Sequence, residues 1–213
     1  MKFSRIFFLS AIASIALSWF SETKIWKKTK ALHIPISKKN YVLNSKTEEK
    51  LQQKAAAAKR FVLQKGYNDQ TCFLIDMSLP SGQGRFFIYN LLKDSIEIQG
   101  LVAHGNCFEY WLEGRRYSNV VGSGCSSLGK YKIGASYTGK WGYSYKLHGL
   151  DSTNSNAFER TVVLHSHSCV PESEVNDEIC QSNGCPTVSP GLLGKLKQVI
   201  NTSKKPVLLW IYD

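Results

Sequence analysis

The apolar positions of this chain fall into three rhythms. After the basic opening MKFSR come fifteen almost unbroken hydrophobic residues, IFFLSAIASIALSWF. That is short of the about 20 residues that cross a bilayer, and a positive start with an apolar middle has the layout of an export signal. Residues 1–21 are read as a signal peptide or an uncleaved N-terminal anchor. Ala16-Leu17-Ser18 is the nearest small-x-small pattern for cleavage, and no cysteine follows to accept lipid. From Ser45 the stretch SKTEEKLQQKAAAAKRFVLQKG mixes alanine with Lys, Glu and Gln, the strongest helix formers. Ser45 with Glu48 makes a capping box and Gly66 a stop, so residues 45–66 are expected to form one helix of about five turns packed on the domain C-terminal to it. Beyond Gly66 the apolar residues come in short β-branched and aromatic runs separated by Gly, Ser and Asn: CFLID, RFFIYNL, SIEIQGLVA, KYKIG, YSYKL, RTVVLHS and PVLLWIY. These are strand signals. Ser189-Pro190 then opens a short helix, GLLGKLKQVI, with proline at its first position. The fold class is mainly β with a long N-terminal and a short C-terminal helix, and residues 67–213 make a single domain.

A hydrophobic content of 43% over 213 residues builds one core without help from disulfides. The 27 basic residues outnumber the 16 acidic ones, for a formal charge of +11, which favours anionic surfaces. Much of that excess lies in residues 22–44, where KIWKKTKALHIPISKK carries six lysines and no acid. This is a basic tether suited to an anionic cell envelope. No nucleic-acid-binding motif accompanies it, and an exported protein seldom meets nucleic acid, so that class of partner is set aside. A monomer is expected.

The chemistry concentrates between Val163 and Pro190, in VLHSHSCVPESEVNDEICQSNGCPTVSP, which holds His165, His167 and three of the six cysteines. A zinc site wants closely spaced Cys or His pairs, and H-x-H, ten residues between Cys169 and Cys180, and four before Cys185 do not supply them. No metal is expected. An oxidising compartment permits disulfides, and Cys169 and Cys180 bracket the short acidic loop VPESEVNDEI. A bridge there would stabilise by about 2–3 kcal/mol in the chain-entropy model. Cys185 follows Gly184, which permits a tight turn where successive N–H groups can point at a developing oxyanion. Such a thiol needs a histidine base, and His165 and His167 face the same side of an extended strand, so alternation cannot choose between them. A packed strand histidine and an inert buried cysteine remain the plain alternative.

The residues resemble the L,D-transpeptidases of bacterial cell walls, and specifically the murein L,D-transpeptidase branch of Gram-negative bacteria. The likeness rests on His165-Ser166, followed after fifteen residues by Ser182-Asn183-Gly184-Cys185, an S-x-G-C signature. LVAHGN at 101–106, GCSSLGKYKIGASYTGKWGYSYKLHGLD at 124–151, ERTVVLHS at 159–166 and GCPTV at 184–188 look like that branch in the same order. Asn183 and Thr187 stand where the commoner signature has His and Arg. The resemblance implies a twisted β-sandwich and a cysteine enzyme of the periplasm or cell envelope acting on peptidoglycan stem peptides, with no cofactor. Cys185 would attack the L-to-D peptide bond of a donor stem to form a thioester. His165 would serve as base and then acid, and the Ser166 carbonyl would fix its tautomer. The N–H groups of Gly184 and Cys185 would receive the oxyanion. His104, Ser126, Ser127, Ser182 and Asn183 are expected to line the substrate pocket, whereas Tyr137 and Trp141 receive no role. Glu172, Glu174, Asp177 and Glu178 either keep their loop soluble or draw in the acceptor amine. Rival functions are an L,D-carboxypeptidase, with water as acceptor, and a non-catalytic envelope-binding protein.

Overall fold

The structure, a computed structural model, describes residues 43–213. The leader, and all but the last two residues of the basic tether, lie outside the described residues. Among those described, no helix is long and apolar enough to cross a membrane.

The first helix, α1, spans Ser45–Lys65. Its N-cap is Asn44, one residue ahead of the expected Ser45: the Thr47 N–H donates to Asn44 Oδ1 at 2.9 Å. Glu48 therefore makes no capping box, although a carboxylate in the first turn still suits the helix dipole. Gly66 ends the helix at φ +71°, the left-handed conformation that glycine adopts without penalty. Leu51, Ala55, Ala58 and Val62 form one buried stripe along α1, the 3.6-residue period of a helix lying on a sheet.

That sheet has nine strands: β1 Thr71–Asp76, β2 Phe86–Asn90, β3 Ser95–Gly100, β4 Val102–Ala103, β5 Gly129–Gly139, β6 Gly142–Gly149, β7 Val163–Ser166, β8 Thr187–Val188 and β9 Leu208–Tyr212. Their spatial order is β3-β2-β1-β9-β5-β6-β7-β8-β4. The two end strands, β3 and β4, are consecutive in the chain and separated by Leu101 alone, so the sheet curls until its ends nearly meet. Arg85 staples the closure. Its backbone N–H donates to Gly100 O at 3.1 Å, and its Nε and Nη2 donate to Val102 O at 3.0 and 2.8 Å. Strands with both faces covered read as continuous apolar runs. In β1, Phe73 and Ile75 face the interior with Phe86, Ile88, Tyr131, Leu164 and Ile211, while Cys72 and Leu74 face the α1 stripe. The second helix, α2, spans Pro190–Thr202 with Ser189 as its N-cap, and Leu192, Leu193 and Leu196 complete the interior. The resulting twisted β-sandwich is thus one sheet folded over its own core.

Candidate functional site

Three neighbouring strands aim side chains at one point. His165 on β7 lies opposite Ser144 of β6 on one side and Thr187 of β8 on the other. The β5–β6 hairpin carries Trp141 at its tip, and that indole stacks on His165 with centroids 5.7 Å apart and planes at 25°. It also meets His167 edge-on at 5.9 Å. Trp141, His165, His167 and Thr187, together with Ala103, Cys169, Cys180, Gln181, Ser182, Asn183 and Cys185, line a cleft of about 210 Å³.

The two histidines are distinguished by their hydrogen bonds. A carbonyl only accepts, so the 3.2 Å contact of His165 Nδ1 with Ser166 O puts the proton on Nδ1 and leaves Nε2 as the lone-pair nitrogen. Nε2 is met at 3.0 Å by the Thr187 hydroxyl. His165 is buried, and burial pulls its pKa below the ordinary 6.5, the Ser166 carbonyl opposing and His167 assisting. It is therefore neutral, and basic at Nε2, at neutral pH. His167 is exposed and arranged the other way round: its Nδ1 accepts from the Cys169 N–H at 3.1 Å, so its spare proton sits on Nε2.

Cys185 follows a turn that only glycine can make. Gly184 has φ +109°, and a Cβ there would stand 2.8 Å from the Cys125 carbonyl oxygen. Ser182 closes the turn: its hydroxyl donates to Cys185 O at 2.7 Å and accepts from the Gly184 N–H at 3.2 Å. The Gly184 N–H, expected as an oxyanion donor, is therefore already engaged in this state, while the Cys185 N–H meets no acceptor among the described residues. The Val163 N–H donates to Cys185 Sγ at 3.5 Å, and the thiol faces Thr161 O at 3.9 Å. Thr161 has φ +55°, a strained conformation for a β-branched residue, of the sort that collects at functional sites. Burial pushes the Cys185 thiol up; the Val163 N–H and Arg160 pull the other way. For proton transfer, His165 Nε2 has to exchange Thr187 for the thiol, a tightening common on substrate binding.

Ser182 and Asn183 line the cleft, whereas His104, Ser126 and Ser127 are buried and do not reach its lining. All three side chains are buried, each hydrogen-bonded inside the fold. Ser126 Oγ accepts from the Gly105 N–H at 2.9 Å, and Ser127 Oγ sits 2.6 Å from Tyr131 Oη. His104 Nδ1 accepts from Arg85 Nη2 at 3.0 Å, while its carbonyl accepts from the Ser182 N–H at 2.8 Å. Burial, and the Arg85 charge after it, hold His104 down at about 4. Between pH 6.5 and about 4 the unfolded chain holds a proton here that the folded protein does not, so stability rises with pH across that window. Acidification through it costs ~3 kcal/mol from this group. Urea unfolding of wild type and His104→Gln at pH 7 and pH 4 isolates the contribution. The same pH dependence in both would refute it.

Sequence reasoning missed Trp141, given no role yet 44% exposed on the cleft, and the Thr187 hydroxyl. An exposed tryptophan in the turn TGKWG was the available signal. The Cys169–Cys180 disulfide is present and forms part of the cleft wall, and a second joins Cys107 to Cys125. Cys72 and Cys185 remain as free thiols, Cys72 fully buried. Among the described residues no three His, Cys, Asp or Glu side chains group as metal ligands.

The acidic loop turns most of its charge to structure. Glu172 accepts from Ser189 Oγ and the Gly191 N–H, both at 2.7 Å, at the N-terminus of α2. Glu174 accepts from the Gly84 N–H and Glu178 from Ser81 Oγ. Glu172→Gln should cost about 1 kcal/mol in urea unfolding, as loss of a charged cap does, and leave reaction products unchanged. A change in products at unaltered stability would restore the loop's expected role in drawing an amine.

The family model described as L,D-transpeptidase catalytic domain matches residues 43–212. No curated protein matches the chain. Similar solved structures include the helical cell shape determining protein Pgp2 of Campylobacter jejuni, at 13% identity and TM-score 0.46 over 69% of this chain and 48% of that one. The chain thus spans about half the length of that protein. An L,D-transpeptidase from Xylanimonas cellulosilytica is similar at 15% identity and TM-score 0.38, covering 72% of this chain and 68% of that one. One from Enterococcus faecium is similar at 12% identity and TM-score 0.40, covering 67% and 50%. With four-fifths of the sequence inside the matched catalytic domain, the chain belongs to the L,D-transpeptidase family.

Proposed function

We propose that this protein is an exported peptidoglycan L,D-transpeptidase of the cell envelope, with Cys185 as nucleophile and His165 as base. The observation that carries the reading is the convergence, in one cleft, of a free thiol on a glycine turn and a neutral imidazole whose Nδ1–H is fixed by Ser166 O. The Sγ proton passes to His165 Nε2 as sulfur attacks the carbonyl carbon of the L-to-D peptide bond of a donor stem. The Cys185 N–H receives the oxyanion; that of Gly184 joins only by leaving Ser182 Oγ. When the C–N bond breaks, the imidazolium gives its proton to the departing amine. The thioester remains until the amine of a second stem, yielding its proton to His165, takes the acyl group and releases Cys185. Ser182 and Asn183 line the path of the substrate. The basic tether would hold the enzyme to an anionic envelope. No cofactor has a part in these steps.

Incubation with purified muropeptides tests this. Crosslinked dimers should outnumber shortened monomers, because an oriented acceptor outcompetes water through its effective molarity, on the order of 10⁵ M. Shortened monomers alone would make the protein a carboxypeptidase, and unchanged muropeptides would refute the enzyme reading.

A further inference from the structure

Arg160 lies half-buried just ahead of β7, in a cradle of neutral acceptors. Its Nη1 donates to Ser118 O at 2.6 Å and Ser127 Oγ at 3.0 Å. Its Nη2 donates to Ser123 Oγ at 3.3 Å and to Cys125 O. No carboxylate of the described residues lies within ion-pair reach of it. A guanidinium keeps its charge when withdrawn from water, and neutral acceptors replace its hydration without cancelling that charge. Arg85, which is fully buried, also meets only neutral acceptors, the Val102 and Leu79 carbonyls and His104 Nδ1, but the field of Glu178 supports its charge. The direction of the Arg160 charge is given by Gly184, since a Cβ at that position would come within 3.5 Å of Arg160 Nη2. The cation therefore backs onto the turn whose far side presents Cys185 and its unpartnered N–H.

We propose that Arg160 is an electrostatic positioning residue for Cys185, a fixed positive charge behind the Gly184 turn that favours the thiolate and then the oxyanion formed beside it. This rests on the reading of Cys185 as the nucleophile. Arg160 gives and takes no proton: the thiol proton goes to His165 Nε2, and the charge behind the turn lowers the cost of leaving sulfur negative in a partly desolvated site. Burial pushes this thiol up, and after the Val163 N–H the Arg160 charge opposes that push. Ser127, buried away from the cleft, acquires a use in this arrangement, because its hydroxyl links the guanidinium to Tyr131.

The test is the pH dependence of Cys185 alkylation by iodoacetamide, followed by intact mass. Arg160→Gln should raise the midpoint by about one pH unit and slow alkylation at pH 7 about tenfold, while Arg160→Lys keeps most of the wild-type profile. A merely structural arginine would leave the midpoint in place. An unmoved midpoint in folded Arg160→Gln, or no rescue by lysine, overturns the proposal. Should Arg160→Gln fail to fold, the His165→Gln protein decides the matter with Arg160 intact. In about 0.5 M salt, where distant charges are screened, its ratio of iodoacetate to iodoacetamide reactivity should exceed that of free cysteine several-fold. An equal ratio overturns the proposal. Alkylation needs no peptidoglycan, so this outcome stands apart from that of the muropeptide assay.

Discussion

Cys185→Ala should abolish covalent labelling by a carbapenem and all turnover of muropeptides, in a protein that folds as the wild type does. The thiol makes only one weak accepted hydrogen bond, from the Val163 N–H, so its removal asks little of the fold. No other sulfur can substitute. Four are in disulfides, and Cys72 is fully buried against α1, where desolvation drives its thiol far above the ordinary range. A thiolate is the reactive species, and Cys72 supplies almost none. Intact-mass measurement should therefore show one adduct on the wild type and none on the variant. An adduct on folded Cys185→Ala would move the nucleophile elsewhere.

The next largest effect belongs to His165. His165→Ala should lower acylation on the order of 10²-fold or more, as loss of a general base typically does, whereas His167→Ala should cost only a few-fold. The separation follows from which nitrogen each ring has free. His165 directs an unprotonated Nε2 toward Thr187, two residues beyond the thiol, while His167 has its lone pair on Nδ1, already bonded to the Cys169 N–H. The base works when neutral and its pKa is depressed by burial, so activity should persist below pH 6.5 before the acid limb falls. The nearby His167 adds to that depression, and His167→Ala should shift the limb toward higher pH. A greater loss from His167→Ala, or a limb above 6.5 in the wild type, would reverse the assignment.

Much of the scaffold could be read from the chain because its strands have simple surroundings. CFLI and PVLLWIY are apolar throughout, and both lie where the sheet is covered on two faces. Helix ends were nearly as plain, the start of α1 shifting by one residue because Asn44 caps it as readily as Ser45 would. The two members of the thiol–imidazole pair could be placed by the resemblance, but their surroundings could not. Spacing brings His104, Ser126 and Ser127 close to the cleft without saying that their side chains turn inward to satisfy Arg85, Gly105 and Tyr131. The Cys107–Cys125 bridge was equally hidden, since it depends on a loop doubling back, with Cys107 and Phe108 both at positive φ. Arg160 looked like the start of a strand and proved to precede it. Only the three-dimensional cradle shows a charge without a partner.

The two disulfides bear on how such a protein can be handled. One joins the ends of the segment from Cys107 to Cys125, and the other is itself part of the cleft wall, yet the sulfur at position 185, free here and proposed as the nucleophile, has to stay reduced to react. A dithiol added to protect that sulfur would also unfasten both bridges, and production in a reducing cytosol would never fasten them. Apparent loss of activity in such a preparation would report opened bridges around an intact Cys185 thiol. Material folded in an oxidising compartment and assayed without dithiols keeps the two effects apart.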